Sequence, residues 1–573
     1  MNGAGVLFNR LCKYGVKHVF GYPGGAILPV LNEFYNQNKI QYILSRTETG
    51  GSFMAEGYAK ATQKPGVVMV TSGPGAINIM TSMQNALSDG TAILALTGQV
   101  STTVIGTDAF QEADVVGMSR SCTKWNSLLV DGSKIEATVD KAFHWMTDKR
   151  HGPVLLDLPK NIMSEPAKAQ VASKEKETDE IRVHESRSTV SYNMIHSLLL
   201  RSRRPAVLAG QGVLSADCVN LLREFVASYN LPVTTTLLGL GIVDERVPQS
   251  LKMLGMHGSF AANKAIQNCD LLLNFGSRFD DRIIGKPELF APRAQIVHID
   301  ILAKNINKTI PTNLYRVESC KVALEQLLEE EIGYDPYMTY EWWNRIHTWK
   351  RTGFSYPKSA KTLQGRHVLA SLNSLLQADK NHSYTIVSDV GAHQMWAAQF
   401  LDYHYPRIKF LTSGGLGTMG FALPASIGVK LGVPEDRVIC ICGDGGFQMT
   451  MQELSTAIEY GIGIKVIILN NSYQLMVKIW QEKFYNNQTI GTKMHNPPFE
   501  LVCRALGCEA LRVDSAQGLD AVLDHFLNYD GPIVLNVITD SSESVLPMVS
   551  PGKALDDMIL EESGEGFKGD APC

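Results

Sequence analysis

The chain has 573 residues, and at about 100–200 residues per domain it holds roughly three domains, which excludes a single small binding module. Hydrophobic residues make up 45% and charged residues 19%, the balance of a globular chain with large cores, which excludes disorder over most of its length. Lys and Arg number 53 against 57 Asp and Glu, a net charge of −4 without a long block of like charge, so no nucleic-acid partner is expected.

The opening MNGAGVLFNRLCKYG enters a helical pattern at once, without a signal-peptide core. No apolar run reaches the roughly 18 residues of a membrane span. The chain as written is therefore expected to be cytoplasmic and free of membrane, or mitochondrial or plastid if a presequence has been removed. Ten cysteines without a CxxC indicate neither a zinc ribbon nor a disulfide framework.

Along the chain, 49 glycines fall after short β-branched runs and before helical patterns, the punctuation of parallel α/β units. The first third shows strands at HVFGY, IQYILS, GVVMVTS, TAILALTG and GPVLLDL, separated by amphipathic stretches such as GSFMAEGYAKAT. Residues 168–189 are polar, charged and free of glycine, which reads as a surface linker. The second unit has strands at RPAVLAG, PVTTTL, DLLLNFG and QIVHIDI, and ends in an aromatic-rich, helical connection, YDPYMTYEWWNRIHTWKRTGF. The third has TIVSD, RIKFLTS, RVICICGD, KVIILNN and PIVLNVIT. The expected architecture is α/β: three doubly wound parallel-sheet domains over 1–167, 190–331 and 361–547. A loose C-terminal tail over 548–573 follows, Gly- and Glu-rich from Asp556.

The sharpest chemical signal is Gly443-Asp444-Gly445-Gly446 after the strand RVICIC, followed by a helical stretch and the strand KVIILNN ending at Asn471. One strand–helix–strand unit places a carboxylate and a carboxamide at the carboxyl ends of two parallel strands, where such sheets bind ligands. Hard Mg²⁺ prefers oxygen ligands completed by water and phosphate, and a helix N-terminus attracts an anion. The alternative reading makes Asp444 and Asn471 ordinary turn and cap residues. Upstream, Gly415-Leu416-Gly417-Thr418-Met419-Gly420 formally matches the dinucleotide phrase GxGxxG, but a dehydrogenase has no use for Asn471. Glu48 stands where an apolar strand ends before a helix, a place where a half-buried carboxyl exchanges a proton near neutral pH. It is equally the place of an acid favoured by the helix dipole.

The phrases GYPGGAILPV (21–30), MAEGYAKA (54–61), VTSGPGAIN (70–78), IGTDAFQEADVVGMSRSCTKWN (105–126), FGSRFDDRIIGK (275–286) and VLPMVSPGKALDDMI (545–559) resemble the catalytic subunit of acetohydroxyacid synthase, also called acetolactate synthase. The resemblance implies a thiamine-diphosphate- and Mg²⁺-dependent enzyme with FAD in its middle domain, joining the two-carbon unit of decarboxylated pyruvate to a second 2-ketoacid. By the same resemblance Asp444, Asn471 and the main-chain oxygen of Tyr473 would hold Mg²⁺. Glu48, donated by a partner subunit, would hydrogen-bond the cofactor's pyrimidine, and Met419 would prop the cofactor. Pro23, Gly24, Gly443, Gly445, Gly446 and Met476 complete the implied cofactor contacts. Gly25, Phe110, Gln111, Lys160 and Trp480 would line the substrate region. FAD contacts would fall on Arg150, Gly210, Met256, His257, Gly276, Arg278, Asp280, Arg282 and Asp300. The family also implies a homodimer or homotetramer and a separate regulatory small subunit as a possible partner.

The pattern breaks beside the acid. The family reads His-Glu-Gln where this chain has Thr47-Glu48-Thr49, proline where it has Ser101, and glycine where it has Leu475. Replacing an imidazole and a carboxamide by hydroxyls removes donors beside Glu48. Two alternatives therefore stay open: a diverged paralogue with altered 2-ketoacid specificity, and a non-catalytic homologue.

Overall fold

The computed structural model describes residues 1–167, 188–312, 314–330, 332–354 and 362–560. The expected linker, apart from its last two residues, and the last part of the expected tail lie outside them. Three six-stranded, all-parallel sheets carry the fold. The first contains β1 (His18–Tyr22), β2 (Gln41–Leu44), β3 (Gly66–Val70), β4 (Ile93–Gln99), β5 (Trp125–Leu128) and β6 (Val154–Pro159), in the spatial order β2-β1-β3-β4-β6-β5. The second contains β7 (Pro205–Ala209), β8 (Val233–Thr235), β9 (Ser250–Met253), β10 (Leu271–Phe275), β11 (Gln295–Asp300) and β12 (Leu314–Val317), in the order β12-β11-β10-β7-β8-β9. The third contains β13 (Tyr384–Ser388), β14 (Ile408–Thr412), β15 (Arg437–Gly443), β16 (Lys465–Asn470), β17 (Glu509–Val513) and β18 (Ile533–Ile538), in the order β14-β13-β15-β16-β18-β17.

Counting strands within each sheet, the first and third share one order, and the second has the doubly wound order in which the chain turns outward from β7 and β10. The expected class stands, but the expected five, four and five strands are each too few. The four missed strands, β5, β9, β12 and β17, all lie at sheet edges. Central strands such as GVVMV and KVIILN are buried throughout, as parallel sheets covered on both faces require.

Helices Glu48–Thr62 and Ala422–Gly432 join the first and third sheets. A Cβ on Gly57 would strike the Ala425 carbonyl, and one on Gly428 would strike that of Met54; the two helices approach backbone to backbone, which only glycine allows. Phe53 meets Phe421 edge-to-face with centroids 5.5 Å apart, and one apolar core runs from Phe20 and Phe53 through Phe421 to Val466.

The aromatic connection forms the expected helix at Tyr340–Lys350, its Trp342 and Trp343 buried. The expected tail is corrected in its first part. Met548–Val549 pair antiparallel with Met558–Ile559, and the Val549 N–H donates to the Met256 carbonyl at 2.8 Å. Apolar Val549 and Leu555 are buried against the middle unit, which fixes a segment whose glycines and acids suggested a free end.

Candidate active site

In open parallel sheets, ligands settle at the carboxyl edge where the strand order reverses. The third sheet reverses between β13 and β15, so the relevant ends are Asp389-Val390-Gly391 and Gly443-Asp444-Gly445. The helix after β15 begins at Asp444 itself. Asp444 is 2% exposed. Its Oδ2 accepts from the Ser472 N–H at 2.7 Å and from Asn496 Nδ2 at 2.6 Å, and its Oδ1 accepts from the Gly445 N–H at 3.0 Å. Burial pushes its carboxyl up, and among the described residues no basic side chain pairs with it. Asn471 follows β16, the neighbouring strand, and its Oδ1 accepts from the Tyr473 N–H at 3.0 Å.

A buried carboxylate without a cation, next to a carboxamide and a main-chain carbonyl, is an all-oxygen donor set. It is too sparse to hold a metal alone: among the described residues no three His, Cys, Asp or Glu side chains are grouped so that they could hold a metal ion. Such a set fits Mg²⁺ finished by phosphate and water. A second observation agrees. His393, 7% exposed, lines the same space with its Nε2 unpartnered, and burial lowers its pKa to about 4 against a hydrogen bond to the Asp389 backbone, so at neutral pH it is a neutral ring with one nitrogen left open. Asp389, on the opposing strand end, accepts from the Gly420 N–H at 3.0 Å, and burial raises its pKa to about 7.

Asp444, Asn471, Tyr473, Met419, Met476 and Trp480 border one cavity of about 910 Å³. Gly443, Gly445, Gly446 and the departing residue Leu475 lie on its wall too. The same cavity runs to the second sheet, where Arg150, Met256, His257, Gly276, Arg278, Asp280, Arg282 and Asp300 face it. Gly210 does not line it, although its neighbours Gln211 and Gly212 do. Gly210 and Gly276 end β7 and β10, the point where that sheet reverses. A Cβ on Gly210 would strike the Gly276 carbonyl, and Gly276 has a φ of +65°. Asp300 ends the next strand. It accepts from Asn305 Nδ2 at 3.1 Å and from the Leu302 N–H at 2.8 Å, and burial pushes its pKa up. Burial, then the charge of Arg278, lowers the pKa of Arg150. A close glycine turn, an acid on the following strand end and nearby guanidinium groups fit a dinucleotide. Buried His257, held at about 4 by burial, contacts the Pro547 carbonyl through Nδ1 at 3.2 Å.

The residues of the first sheet stand elsewhere. Glu48, Pro23, Gly24, Gly25, Phe110, Gln111, Lys160 and Ser101 are absent from the lining of that cavity. They gather instead at the carboxyl edge of the first sheet: Pro23 to Gly25 after β1, Glu48 after β2, Ser101 after β4 and Lys160 after β6. Glu48 starts the Glu48–Thr62 helix, where the dipole favours an acid. Its Oε2 accepts from Asn78 Nδ2 at 3.0 Å, and its Oε1 makes no hydrogen bond among the described residues. Phe110 is 89% exposed and Lys160 is exposed. Gln111 has a φ of +62° and its carbonyl lies against Gly73.

The departures beside Glu48 have local explanations. Thr47 caps the helix by accepting from the Gly50 N–H at 3.0 Å and donates to Glu453 at 3.1 Å. Glu453 also accepts the main-chain N–H groups of Arg46 and Thr47. The Thr49 hydroxyl donates to the Asn78 carbonyl at 2.6 Å, steadying the residue that binds Glu48. The GxGxxG phrase follows β14, an edge strand outside the reversal between β13 and β15, and it runs as a loop into the Ala422–Gly432 helix. Sequence reading missed Asp389, His393, Asn496 and Asn78; only Asp389, closing the strand read as TIVSD, carried a signal.

Comparison with known proteins matches three segments of the chain. Residues 1–118 match the N-terminal TPP binding domain of thiamine pyrophosphate enzymes, 193–327 their central domain and 389–537 their C-terminal TPP binding domain. The chain is 42% identical to the mitochondrial acetolactate synthase of Schizosaccharomyces pombe, over 98% of this chain and 86% of that protein. The chain belongs to the acetolactate synthase family of thiamine pyrophosphate enzymes. It is also 41% identical to the mitochondrial acetolactate synthase catalytic subunit of Saccharomyces cerevisiae, over 97% of this chain and 83% of that one. With the large subunit of acetolactate synthase isozyme 2 of Escherichia coli it shares 39% identity, over 98% and 99%. Thiamine diphosphate is the cofactor of this family, and among the described residues no helix is long and apolar enough to cross a membrane.

Proposed function

We propose that the protein is an acetolactate synthase, which decarboxylates pyruvate and ligates the remaining two-carbon unit to a second 2-ketoacid, pyruvate or 2-ketobutyrate. The observation that carries this reading is the pair of strand ends bearing Asp444 and Asn471 beside a buried histidine whose Nε2 is unpartnered, in a chain about 40% identical to acetolactate synthases over nearly its whole length. Asp444, Asn471 and the Tyr473 carbonyl would hold Mg²⁺, and His393 Nε2 with the N–H groups of Gly445 and Gly446 would meet the diphosphate. When bound, thiamine diphosphate supplies a nucleophilic carbon and an electron sink for loss of CO₂.

The protein's part is placement and proton transfer. Asn78 fixes one oxygen of Glu48 and leaves Oε1 to give and take a proton. Glu48 and Asp444 face different spaces in one chain, which supports a homodimer in which each site takes Glu48 from the partner. Exposed Phe110, Ile77 and Met118 near the first sheet's edge give that contact an apolar surface. Gly25, Gln111, Lys160 and Trp480 are proposed to border the substrate and Met419 to support the cofactor. The second sheet's crevice is proposed to carry FAD. A regulatory small subunit and a mitochondrial address are proposed from the relatives named catalytic or large subunits and the fungal ones named mitochondrial. Thr47 and Thr49 are absorbed by capping and by support of Asn78, and neither change removes the acid.

Product analysis tests the reading. Purified protein supplied with thiamine diphosphate, Mg²⁺ and FAD should form acetolactate from pyruvate alone, and acetohydroxybutyrate as well once 2-ketobutyrate is added. Acetaldehyde as the sole product, or no CO₂ at all, would sink it.

A further inference from the structure

The first and third sheets share a buried ionic cluster for which the reaction, as described, has no use. Lys60, 9% exposed, lies on the Glu48–Thr62 helix one turn beyond Glu56, which is wholly buried. Its Nζ donates to Asp89 Oδ2 at 2.5 Å and lies 3.3 Å from Glu56 Oε1. Asn85 Nδ2 donates to both oxygens of Glu56, at 2.8 and 2.9 Å. Burial works against the Lys60 charge, but the two carboxylates outweigh it and its pKa rises. Burial pushes Glu56 up to about 7.

Among the described residues, every outward side-chain bond of this cluster ends on one loop of the third sheet, residues 412–421. Lys60 Nζ donates to the Thr412 carbonyl at 2.7 Å and sits 5.1 Å from the centroid of the Phe421 ring, so one ammonium touches both ends of the loop. Asp89 accepts from the Gly414 N–H at 3.1 Å and the Gly415 N–H at 2.6 Å. Asn85 Oδ1 accepts from the Ser413 hydroxyl at 2.5 Å and the Thr418 hydroxyl at 3.2 Å. The loop carries Met419 into the cavity. The same helix end also serves the flavin side: Arg150 donates to the Leu87 and Ser88 carbonyls at 2.8 and 2.6 Å, capping the last turn of the Met80–Asp89 helix.

We propose that Lys60 is a positioning residue. Paired with Asp89, it locks the 412–421 loop, fixes the reach of Met419 into the cavity, and makes the end of the Met80–Asp89 helix a bracket between the two halves of that cavity. A buried ion pair is a poor source of stability but a strong source of register, because its partners tolerate one geometry. The inference rests on the proposed cofactor only for what the loop supports.

Two readouts on the full chain decide it. Hydrogen exchange followed by mass spectrometry needs no cofactor: Lys60→Met should speed exchange of the 412–420 segment by about tenfold, the loss of one charge-assisted bond, and leave the Gly443–Gly446 turn unchanged. Trp396 and Trp480 line the cavity, so their fluorescence reports uptake of thiamine diphosphate. Affinity should fall about tenfold while turnover at saturating cofactor stays near wild type, and Lys60→Arg should restore both. Should Lys60→Met not fold, Ser413→Ala cuts the loop's bond to Asn85 and leaves the ions paired; the same segment should exchange faster. Wild-type exchange of 412–420 in the variant that folds would overturn the positioning role, as would faster exchange with unchanged affinity. A wild-type protein that takes up no thiamine diphosphate would sink the proposed function instead, and the exchange result would still decide the clamp.

Discussion

The first and third sheets are built to one plan and used differently. Both run in the same strand order, and both gather chemistry at the carboxyl edge. The third edge opens into a cavity with a buried acid, a half-buried amide and an imidazole whose Nε2 is unpartnered. The first presents a half-buried Glu48, an exposed Phe110 and an exposed Lys160. The shared plan fixes where a ligand can lie, and what covers the edge decides which part of it is handled there. Within one chain the first edge is held away from the third by the Glu48–Thr62 and Ala422–Gly432 helices, whose backbones touch. On the proposed function each edge is half of a site, and the complement belongs to a second copy.

The largest effect comes from breaking this division on the acid side. Glu48→Gln should cut CO₂ release from pyruvate by roughly 10²–10⁴, the usual worth of a positioned proton-transfer group, with thiamine diphosphate uptake and melting temperature unchanged. Asp444→Ala should be inactive through loss of the metal. Mixing the two dead variants and allowing subunits to exchange should recover about a quarter of wild-type activity, since half the dimers pair one of each and carry one intact site. No recovery would show that Glu48 and Asp444 act in a single chain. On the metal side, a chelator should abolish activity, and Mg²⁺ should restore it. Asn496→Ala, which removes the amide that donates to Asp444, should weaken metal affinity about 10- to 100-fold, read as the Mg²⁺ concentration for half-maximal rate.

How much of this was legible follows the same contrast. Central strands announce themselves because parallel sheets bury both faces and leave continuous apolar runs. The missed strands WNSL, LYRV, SLKM and EALRV are edge strands: β5 and β12 are half-buried throughout, and β9 and β17 are broken by polar residues. Asp444 and Asn471 were readable because a strand end and a glycine turn advertise them. His393 lies inside a helix, Asn496 in a loop and Asn78 at the end of a short helix, positions whose roles exist only once separate strands are brought together. The tail misled because its composition suggests freedom, while Val549 and Leu555 decide its place by burial.

The second sheet sharpens the comparison from outside. Its reversal point depends on close contact between Gly210 and Gly276, the latter at positive φ. Gly276→Ala should destabilise the fold by about 1–3 kcal/mol and, on the proposed function, loosen FAD, read as yellow colour lost on gel filtration. Decarboxylation per thiamine-loaded site should fall far less than in Glu48→Gln.

The smallest effect lies at the seam between the second and third sheets. At the first–third seam Lys60 pairs with the buried Asp89 and Glu56. At the second–third seam Glu245, 6% exposed, accepts from the Tyr403 N–H at 3.3 Å through Oε2 and leaves Oε1 without a partner. Burial raises its pKa from 4.5 to about 8, against the pull of Lys252. The folded chain therefore keeps a proton that the unfolded chain releases above about pH 4.5. Stability from this group is intact below that pH, declines as pH rises through the window and is fully lost above about 8. Glu245→Gln does not titrate. Its melting temperature relative to wild type should climb between pH 5 and pH 8.5, by at least ~2 °C, measured by calorimetry at both values. A constant difference across that range would mean that Lys252 balances Glu245, and the contrast between the two seams would then be lost.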